Sequence, residues 1–167
     1  MATTKFKGQD VELLGNEVNV GDKAPEVTVV NSDGLGDVKV GGAQGHKQLI
    51  IVVPSLDTGV CATETRNFNA KASSLEGVKP TIVSLDLPFA AGRFCSTEGI
   101  TNLTVTSDFR NKDFANAYGV LLGGSVLAGV TCRAIFAIDE NGIVTYKEIV
   151  PEITEEPNYD AAIAAVQ

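Results

Sequence analysis

Apolar and polar residues along the chain follow patterns that predict alternating β-strands and α-helices. Residues Lys5–Lys7 and Gln9–Leu14 alternate on either side of Gly8, which predicts an N-terminal β-hairpin. The segment Gln48–Val53 is almost continuously apolar, as in a central strand buried on both faces, and Pro54 ends it. Similar shorter patterns predict strands at Val27–Val30, Asp37–Val40, Thr81–Asp86, Leu103–Thr106, Cys132–Ile138 and Ile143–Ile149.

Helical spacing between these strands predicts four helices. The first is amphipathic, because apolar or small residues recur every three or four positions at Cys61, Thr65, Phe68, Ala72 and Leu75. Cys61 falls in its first turn, and Gly77 is expected to end it. Its polar side is assigned to Glu64, Arg66 and Asn67. The other helices are predicted at Phe89–Thr97, Asn111–Tyr118 and Tyr159–Val166.

The order of these elements and the chain length predict a single α/β domain, residues 1–167. Strands that alternate with helices and close with a hairpin are typical of a central mixed sheet flanked by helices. With 167 residues, 44% of them hydrophobic, the chain can form one substantial core. The net charge of −8 and the scattered basic residues argue against a nucleic-acid partner. No apolar stretch approaches membrane-spanning length, so we expect a soluble, cytoplasmic protein without a membrane partner.

The three cysteines, Cys61, Cys95 and Cys132, do not resemble the dense disulfide framework of a small secreted domain. In a reducing compartment each is expected to be a thiol, and a cysteine without special context is usually a small buried apolar residue. His46 is the only histidine, and the usual zinc-ligand spacings are missing. We therefore predict neither a metal nor an organic cofactor.

The context of Cys61 differs from that of an ordinary core cysteine. A buried strand, Pro54 and a short loop precede it, so the thiol lies where a helix begins. Backbone N–H groups and the positive end of the helix dipole favour the thiolate there, and the thiolate is the nucleophile. Thr58, three residues earlier, can cap this helix, and its hydroxyl can equally hold the sulfur or an incoming oxygen.

A nucleophilic thiolate at this position would be stabilised by a nearby cation, and Arg133 is the best candidate. It precedes the apolar segment Ala134–Ile138, where an arginine is costly to bury without a specific partner. An exposed arginine at the edge of the sheet is an equal alternative at this point. Arg66 and Arg93 lie among polar residues on helix faces and are weaker candidates.

The segment that ends at Cys61 resembles a known signature. Pro54-Ser-Leu-Asp-Thr58-Gly-Val-Cys61 matches the Pro-x-x-x-Thr-x-x-Cys motif of the peroxiredoxins. The residues that follow it are similar to the thiol peroxidase subfamily, the atypical two-cysteine bacterial type. The resemblance extends over nearly the whole chain and includes Phe94-Cys95 at the position of that subfamily's resolving cysteine.

This resemblance implies a thioredoxin-like fold and a peroxidase that reduces hydrogen peroxide or organic hydroperoxides. Cys61 would be the peroxidatic nucleophile that becomes a sulfenic acid, and Cys95 the resolving thiol that forms an internal disulfide with it. Pro54 would shield the sulfur, Thr58 would orient the peroxide, and Arg133 would stabilise charge. The family also implies a homodimer, reduction by thioredoxin and a role in antioxidant defence.

The implied bridge between Cys61 and Cys95 is open to two interpretations. As a permanent staple it would restrict the unfolded chain by roughly 3–4 kcal/mol. A reducing compartment opposes permanent bridges, and the bond would constrain the thiol at the start of a reactive helix. A transient bridge is therefore the better interpretation, and it requires local unwinding around one or both cysteines.

Three other features bear on this assignment. Gly59 stands where the subfamily usually has proline, so the loop before Cys61 is expected to be less rigid and to open more readily. Cys132 has no clear counterpart in the subfamily pattern and is assigned a structural role. The segment Leu121–Val130 is explained equally by a packed loop and by a contact for alkyl chains or a second subunit.

Two other classes of function stay open. A thioredoxin-like binding module would contain a packed, unreactive Cys61 and an incidental Cys95. A general thiol–disulfide oxidoreductase normally carries Cys-x-x-Cys, whereas Thr58 and Glu64 stand three positions from Cys61 here. A serine triad lacks its nucleophile motif, and His46 lies in a polar glycine-rich loop. Reaction of Cys61 with peroxide separates the peroxidase from these alternatives.

Overall fold

The computed structural model describes residues 2–167, which form ten strands and four helices. The strands are β1 (Thr3–Phe6), β2 (Gln9–Leu14), β3 (Val27–Asn31), β4 (Asp37–Val40), β5 (Lys47–Val52), β6 (Val78–Ser84), β7 (Thr104–Ser107), β8 (Leu121–Leu122), β9 (Ala134–Ile138) and β10 (Val144–Ile149). The helices are α1 (Gly59–Ala72), α2 (Pro88–Glu98), α3 (Asp113–Tyr118) and α4 (Tyr159–Ala164). Each strand and helix predicted from the sequence pattern is present, with small shifts at the ends.

Seven strands form the central mixed sheet in the order β10-β9-β5-β6-β7-β3-β4. β6 runs parallel to β5 and β7, and the other neighbours are antiparallel. The hairpin β1–β2 pairs with β8 in a separate three-stranded sheet. The predicted α/β fold, mixed sheet and N-terminal hairpin are therefore confirmed. The short β8 was not predicted and lies within the apolar segment Leu121–Val130.

Two apolar cores cover the two faces of the central sheet. Along β5, Ile50 faces one core and Ile51 faces the other, because successive side chains of a strand alternate. Helices α1, α2 and α4 contribute to the core of Ile51 through Phe68, Ala91 and Ala162, among others. Helix α3 and strand β2 contribute to the core of Ile50 through Phe114 and Val11. The hairpin therefore shares a core with the central sheet.

Helix α1 ends earlier than the sequence pattern predicts. Its last residue is Ala72, whereas Gly77 lies in the turn before β6 with a φ of +68°. The hydroxyls of Ser73 and Ser74 donate to carbonyls of the last turn, at 2.8 and 2.9 Å. They thus satisfy carbonyl groups that would accept backbone N–H groups if the helix continued. None of the helices described for residues 2–167 has the length and apolar character needed to cross a membrane.

Candidate active site

The loop between β5 and α1 is fixed by the carboxylate of Asp86. This residue follows β6, the parallel neighbour of β5, and accepts hydrogen bonds from Ser55 Oγ at 2.7 Å and the Leu56 N–H at 2.8 Å. Ser84 Oγ also donates to it at 3.0 Å. Because parallel strands end at the same edge of the sheet, the carboxylate can hold the loop that leads into α1. Pro54, at the start of this loop, is buried.

Thr58 stands immediately before α1 but does not cap it with its side chain. Its backbone is extended, with a φ of −111° and a ψ of 153°, and its carbonyl accepts the first helical hydrogen bond from the Ala62 N–H at 2.9 Å. The hydroxyl instead donates to the Ser55 carbonyl at 3.0 Å. Capping by this side chain, one of two roles suggested by the sequence, is therefore wrong. The exposed hydroxyl oxygen can still accept a hydrogen bond from a ligand.

Cys61 is the third residue of α1, and its side chain is fully buried. Arg133 comes directly before β9, and its Nη1 lies 3.2 Å from the Cys61 sulfur. Only 2% of Arg133 is exposed, so the interpretation as a surface arginine is wrong. A guanidinium in contact with a buried sulfur stabilises the thiolate, because it supplies both charge and an N–H donor.

Arg133 is held on two further sides. Its Nε and Nη2 donate to the carbonyl of Ile153 at 3.0 and 2.8 Å. Its Nη1 also donates to Glu64 Oε2 at 2.6 Å. A guanidinium has five N–H groups, and these contacts with Cys61, Glu64 and Ile153 occupy four of them. Within residues 2–167, one Nη2 N–H is left without a partner.

Glu64 is the site residue that the sequence pattern misassigned. The sequence pattern predicts that it lies on the polar side of α1, but it is fully buried and bound to Arg133. A signal existed, because residues three apart on a helix lie on the same face as each other, and Glu64 is three residues after Cys61. Its second oxygen, Oε1, is buried without a hydrogen-bond partner among the described residues.

Burial and the neighbouring charges have opposite effects on the pKa values of Glu64 and Arg133. Burial raises the pKa of Glu64 to about 7, and the charge and hydrogen bond of Arg133 offset this only in part. Burial alone would lower the pKa of Arg133, but the neighbouring Cys61 and Glu64 outweigh it and raise that pKa. The arginine therefore stays charged, while the pKa of Glu64 lies well above its usual range.

Cys95 lies in α2, on a different helix from Cys61, and is half-buried. Burial raises the pKa of its thiol, and a hydrogen bond with Ser32 acts against this rise. It lines a groove of about 790 Å³ together with Ser32, Asp33 and Gly92, among others. Its side chain also packs at the edge of the core that contains Cys61. Both thiols are free in this structure.

The remaining residues considered in the sequence are not part of the cluster. Cys132 belongs to the opposite core, and burial raises the pKa of its thiol to about 12, which favours the unreactive neutral form. Arg66 is exposed and binds Glu98 at 3.2 Å, and Arg93 is also exposed. These features agree with a structural Cys132 and with Arg133 as the cation beside the sulfur.

Gly59 begins α1, and replacing it by alanine should strengthen the first turn. A Cβ there meets no atom within 4 Å, and its φ lies outside the positive range that excludes other residues. We expect Gly59→Ala to raise the unfolding free energy by about 0.5–1 kcal/mol, through the lower entropy of the unfolded chain. Disulfide formation should slow about two- to fivefold, because opening the first turn costs correspondingly more. Urea unfolding and stopped-flow oxidation measure the two effects.

Gly77→Ala is the matched control for this change. Its Cβ also meets no atom within 4 Å, but its φ is +68°, which strains any other residue. It should lower the unfolding free energy by about 1 kcal/mol and leave disulfide formation unchanged. A Gly59→Ala protein no more stable than the wild type would contradict the predicted gain at the start of α1.

A thioredoxin-like α/β fold with a thiol buried against an arginine at a helix N-terminus defines a thiol-dependent redox protein. Comparison with known proteins supports this class. The family described as Redoxin matches residues 19–163. A thiol peroxidase of Aquifex aeolicus is 53% identical over 165 residues, which cover 99% of this chain and 96% of that protein. A thiol peroxidase of Campylobacter jejuni is 53% identical over 158 residues, covering 95% and 89% respectively.

Comparison with solved structures supports the same fold. The crystal structure of a peroxiredoxin-like protein from Aquifex aeolicus has a TM-score of 0.96 and 52% identity, and covers 99% of this chain and 96% of that chain. The thiol peroxidase from Chromobacterium violaceum has a TM-score of 0.85 at 23% identity over 95% and 91% of the chains, which supports the fold alone. The chain belongs to the Redoxin family and, within it, to the thiol peroxidase subfamily of the peroxiredoxins.

Proposed function

We propose that this protein is a thiol peroxidase in which Cys61 reduces hydroperoxides. The observation that carries the proposal is the 3.2 Å contact between Arg133 Nη1 and the Cys61 sulfur, made in a buried site at the start of α1. A guanidinium fixed against the sulfur supplies charge and an N–H donor to the nucleophile and to the oxygen it attacks. The kinship with thiol peroxidases supports the same chemistry.

In the first step the Cys61 thiolate attacks one oxygen of the O–O bond. A sulfur–oxygen bond forms, the O–O bond breaks, and the leaving oxygen takes a proton to become an alcohol or water. The peroxide is reduced by two electrons and Cys61 is oxidised to a sulfenic acid. Arg133 stabilises the developing charge through its remaining Nη2 N–H, Thr58 orients the peroxide through its exposed hydroxyl, and Pro54 shields the sulfur.

In the second step Cys95 resolves the sulfenic acid. Its thiolate attacks the Cys61 sulfur, the sulfur–sulfur bond forms, and the hydroxyl of the sulfenic acid leaves as water after taking up a proton. Since Cys61 is buried in α1 and Cys95 lies in α2, the first turn of α1 or part of α2 unwinds for this step. A thioredoxin-type dithiol then supplies two electrons and restores both thiols.

The assembly and location follow from the same proposal. We propose a homodimer, supported by the family resemblance and by two exposed apolar residues, Leu87 and Phe89, beside the groove that includes Leu56 and Asp57 of the active-site loop. A reducing compartment such as the cytoplasm keeps Cys61 and Cys95 available. The chain is proposed to be a single domain, because the hairpin shares a core with the central sheet.

One equivalent of hydroperoxide, added to the pre-reduced protein, tests the function. Free thiols are then blocked and the peptides are mapped by mass spectrometry without reduction. We expect a Cys61–Cys95 linkage in the wild type, and a Cys61 sulfenic or sulfinic acid in Cys95→Ser. Cys132→Ser is the control and should form the same linkage as the wild type. If Cys61 stays a thiol in all three proteins, the peroxidase proposal fails and a binding module becomes the better interpretation.

A further inference from the structure

The carbonyl of Ile153 is the anchor of Arg133 outside the thiol cluster. It accepts from both Nε and Nη2, at 3.0 and 2.8 Å, so it fixes the plane of the guanidinium. Ile153 lies in the segment between β10 and α4, which has no regular secondary structure that would hold its carbonyl in place. Whatever positions this segment therefore positions Arg133 relative to Cys61.

Strand β1 binds that segment as an added strand. The Lys5 N–H donates to the Pro151 carbonyl, and the Ile153 N–H donates to the Lys5 carbonyl, both at 2.8 Å. The buried hydroxyl of Thr4 donates to the Val150 carbonyl at 2.8 Å. The two backbone hydrogen bonds lie on either side of Glu152, which forms a parallel bridge with Lys5. The anchor of Arg133 is thus paired with the N-terminal hairpin.

Glu152 fastens the segment to the turn of the same hairpin. Its carboxylate accepts from the Gly8 N–H at 2.8 Å and from the Lys7 N–H at 3.2 Å, and from the Thr154 N–H at 3.1 Å. Lys7 and Gly8 have φ values of 50° and 80°, a turn geometry common in two-residue hairpins. The hydrogen bond from Gly8, followed by that from Thr154, lowers the pKa of Glu152. The carboxylate therefore bridges the turn and the residue after Ile153.

We propose that the N-terminal hairpin is a positioning element for Arg133, with Glu152 and Thr4 as the positioning residues that link it to the Ile153 carbonyl. The inference rests on the proposed function in one respect, namely that Arg133 acts in peroxide reduction. Neither Glu152 nor Thr4 touches the thiol or its substrate. They act by keeping the guanidinium plane aligned with the Cys61 sulfur and with the approach of the peroxide, where small displacements are costly to rate.

Glu152→Ala removes the link to the hairpin turn while leaving the buried cluster intact. Asp10→Ala is the matched control, because Asp10 lies on the same hairpin and its exposed carboxylate binds the Lys5 side chain at 2.5 Å and no other side chain among residues 2–167. Thr4→Val removes the second link without changing shape, and Thr4→Ser keeps the hydroxyl and should restore it. These pairs separate the proposed links from general changes in the hairpin.

The direct readout is exchange of the Arg133 Nε–H with solvent, followed by proton–nitrogen NMR and assigned by its loss in Arg133→Lys. We expect this exchange to be about tenfold faster in Glu152→Ala and Thr4→Val, because the hydrogen bond from the Arg133 Nε–H to the Ile153 carbonyl breaks more often. Asp10→Ala and Thr4→Ser should exchange at the wild-type rate. The rate constant of Cys61 with peroxide should fall by about three- to tenfold in the first two variants alone.

A purely structural hairpin gives a different result. Melting temperature would fall in Glu152→Ala, but exchange of the Arg133 Nε–H and the peroxide rate constant would match those of Asp10→Ala, and this outcome overturns the inference. If the wild type does not react with peroxide, the proposed function fails. The exchange measurement still tests whether the hairpin holds Arg133 in place. The two failures are therefore distinguishable.

Discussion

Arg133→Met is expected to lower the rate constant of reduced Cys61 with hydrogen peroxide by about 10²–10³-fold, the usual cost of removing a buried donor from a developing charge. Methionine fills similar space but offers neither the charge nor the N–H groups that contact the Cys61 sulfur at 3.2 Å. Thiolate stabilisation and leaving-group stabilisation are lost together. Single-turnover stopped-flow measurements with limiting peroxide determine the rate constant.

Stability has to be separated from chemistry in this variant. Removing Arg133 leaves Glu64 fully buried without its counter-charge, so the carboxyl takes up a proton at neutral pH and the fold loses the ion pair, a loss that grows as the pH rises. The double variant Arg133→Met/Glu64→Gln should recover stability and still react slowly. Arg66→Met, on an exposed arginine of the same helix as Cys61, is the control and should react like the wild type. Comparable rates in Arg133→Met and Arg66→Met would exclude Arg133 from the reaction.

Glu64→Gln is expected to remove a large part of the pH dependence of stability. The pKa of Glu64 is raised by burial from 4.5 to about 7, so the folded state holds a proton that the unfolded state loses. The unfolding free energy of the wild type therefore falls as the pH rises from about 4.5 through about 7, and levels above it. Between pH 5 and 8 this contribution is about 2–3 kcal/mol, and glutamine, which does not titrate, abolishes it.

Urea unfolding at several pH values measures this difference, because all other titrating groups are shared by the two proteins. Glu98→Gln is the control, since it removes a carboxylate that binds an arginine at the surface instead of in the core. It should follow the wild-type curve. Parallel curves for Glu64→Gln and the wild type would show that the buried carboxylate does not titrate in this range.

The same titration has a consequence for activity. Below its pKa Glu64 is neutral, so the full charge of Arg133 acts on the Cys61 sulfur. Above its pKa the Glu64 carboxylate competes with the sulfur for the shared Nη1 of Arg133.

The position of Glu64 on the face of α1 that carries Cys61 could be predicted from the spacing of three residues between them. The burial of Glu64 could not be predicted from the sequence, because a glutamate in an amphipathic helix usually faces water. Its burial here is tolerated because it binds the guanidinium of Arg133.

The amino-acid sequence by itself determined the α/β fold, the hairpin and the strand–loop–helix arrangement that sets Cys61 at a helix N-terminus. These features depend on local periodicity and on a short motif, which neighbouring residues specify. It also indicated Arg133, because an arginine beside an apolar strand is costly without a partner.

Only the tertiary structure decided which groups hold that arginine. Glu64, the Ile153 carbonyl and the Glu152 link come from separate parts of the chain, and their contacts depend on backbone positions that no local pattern encodes. A backbone carbonyl in particular leaves no trace in residue identity, because every residue has one. The cluster around Cys61 therefore depends on tertiary packing, whereas the sequence motif is enough to identify the Cys61 thiol itself.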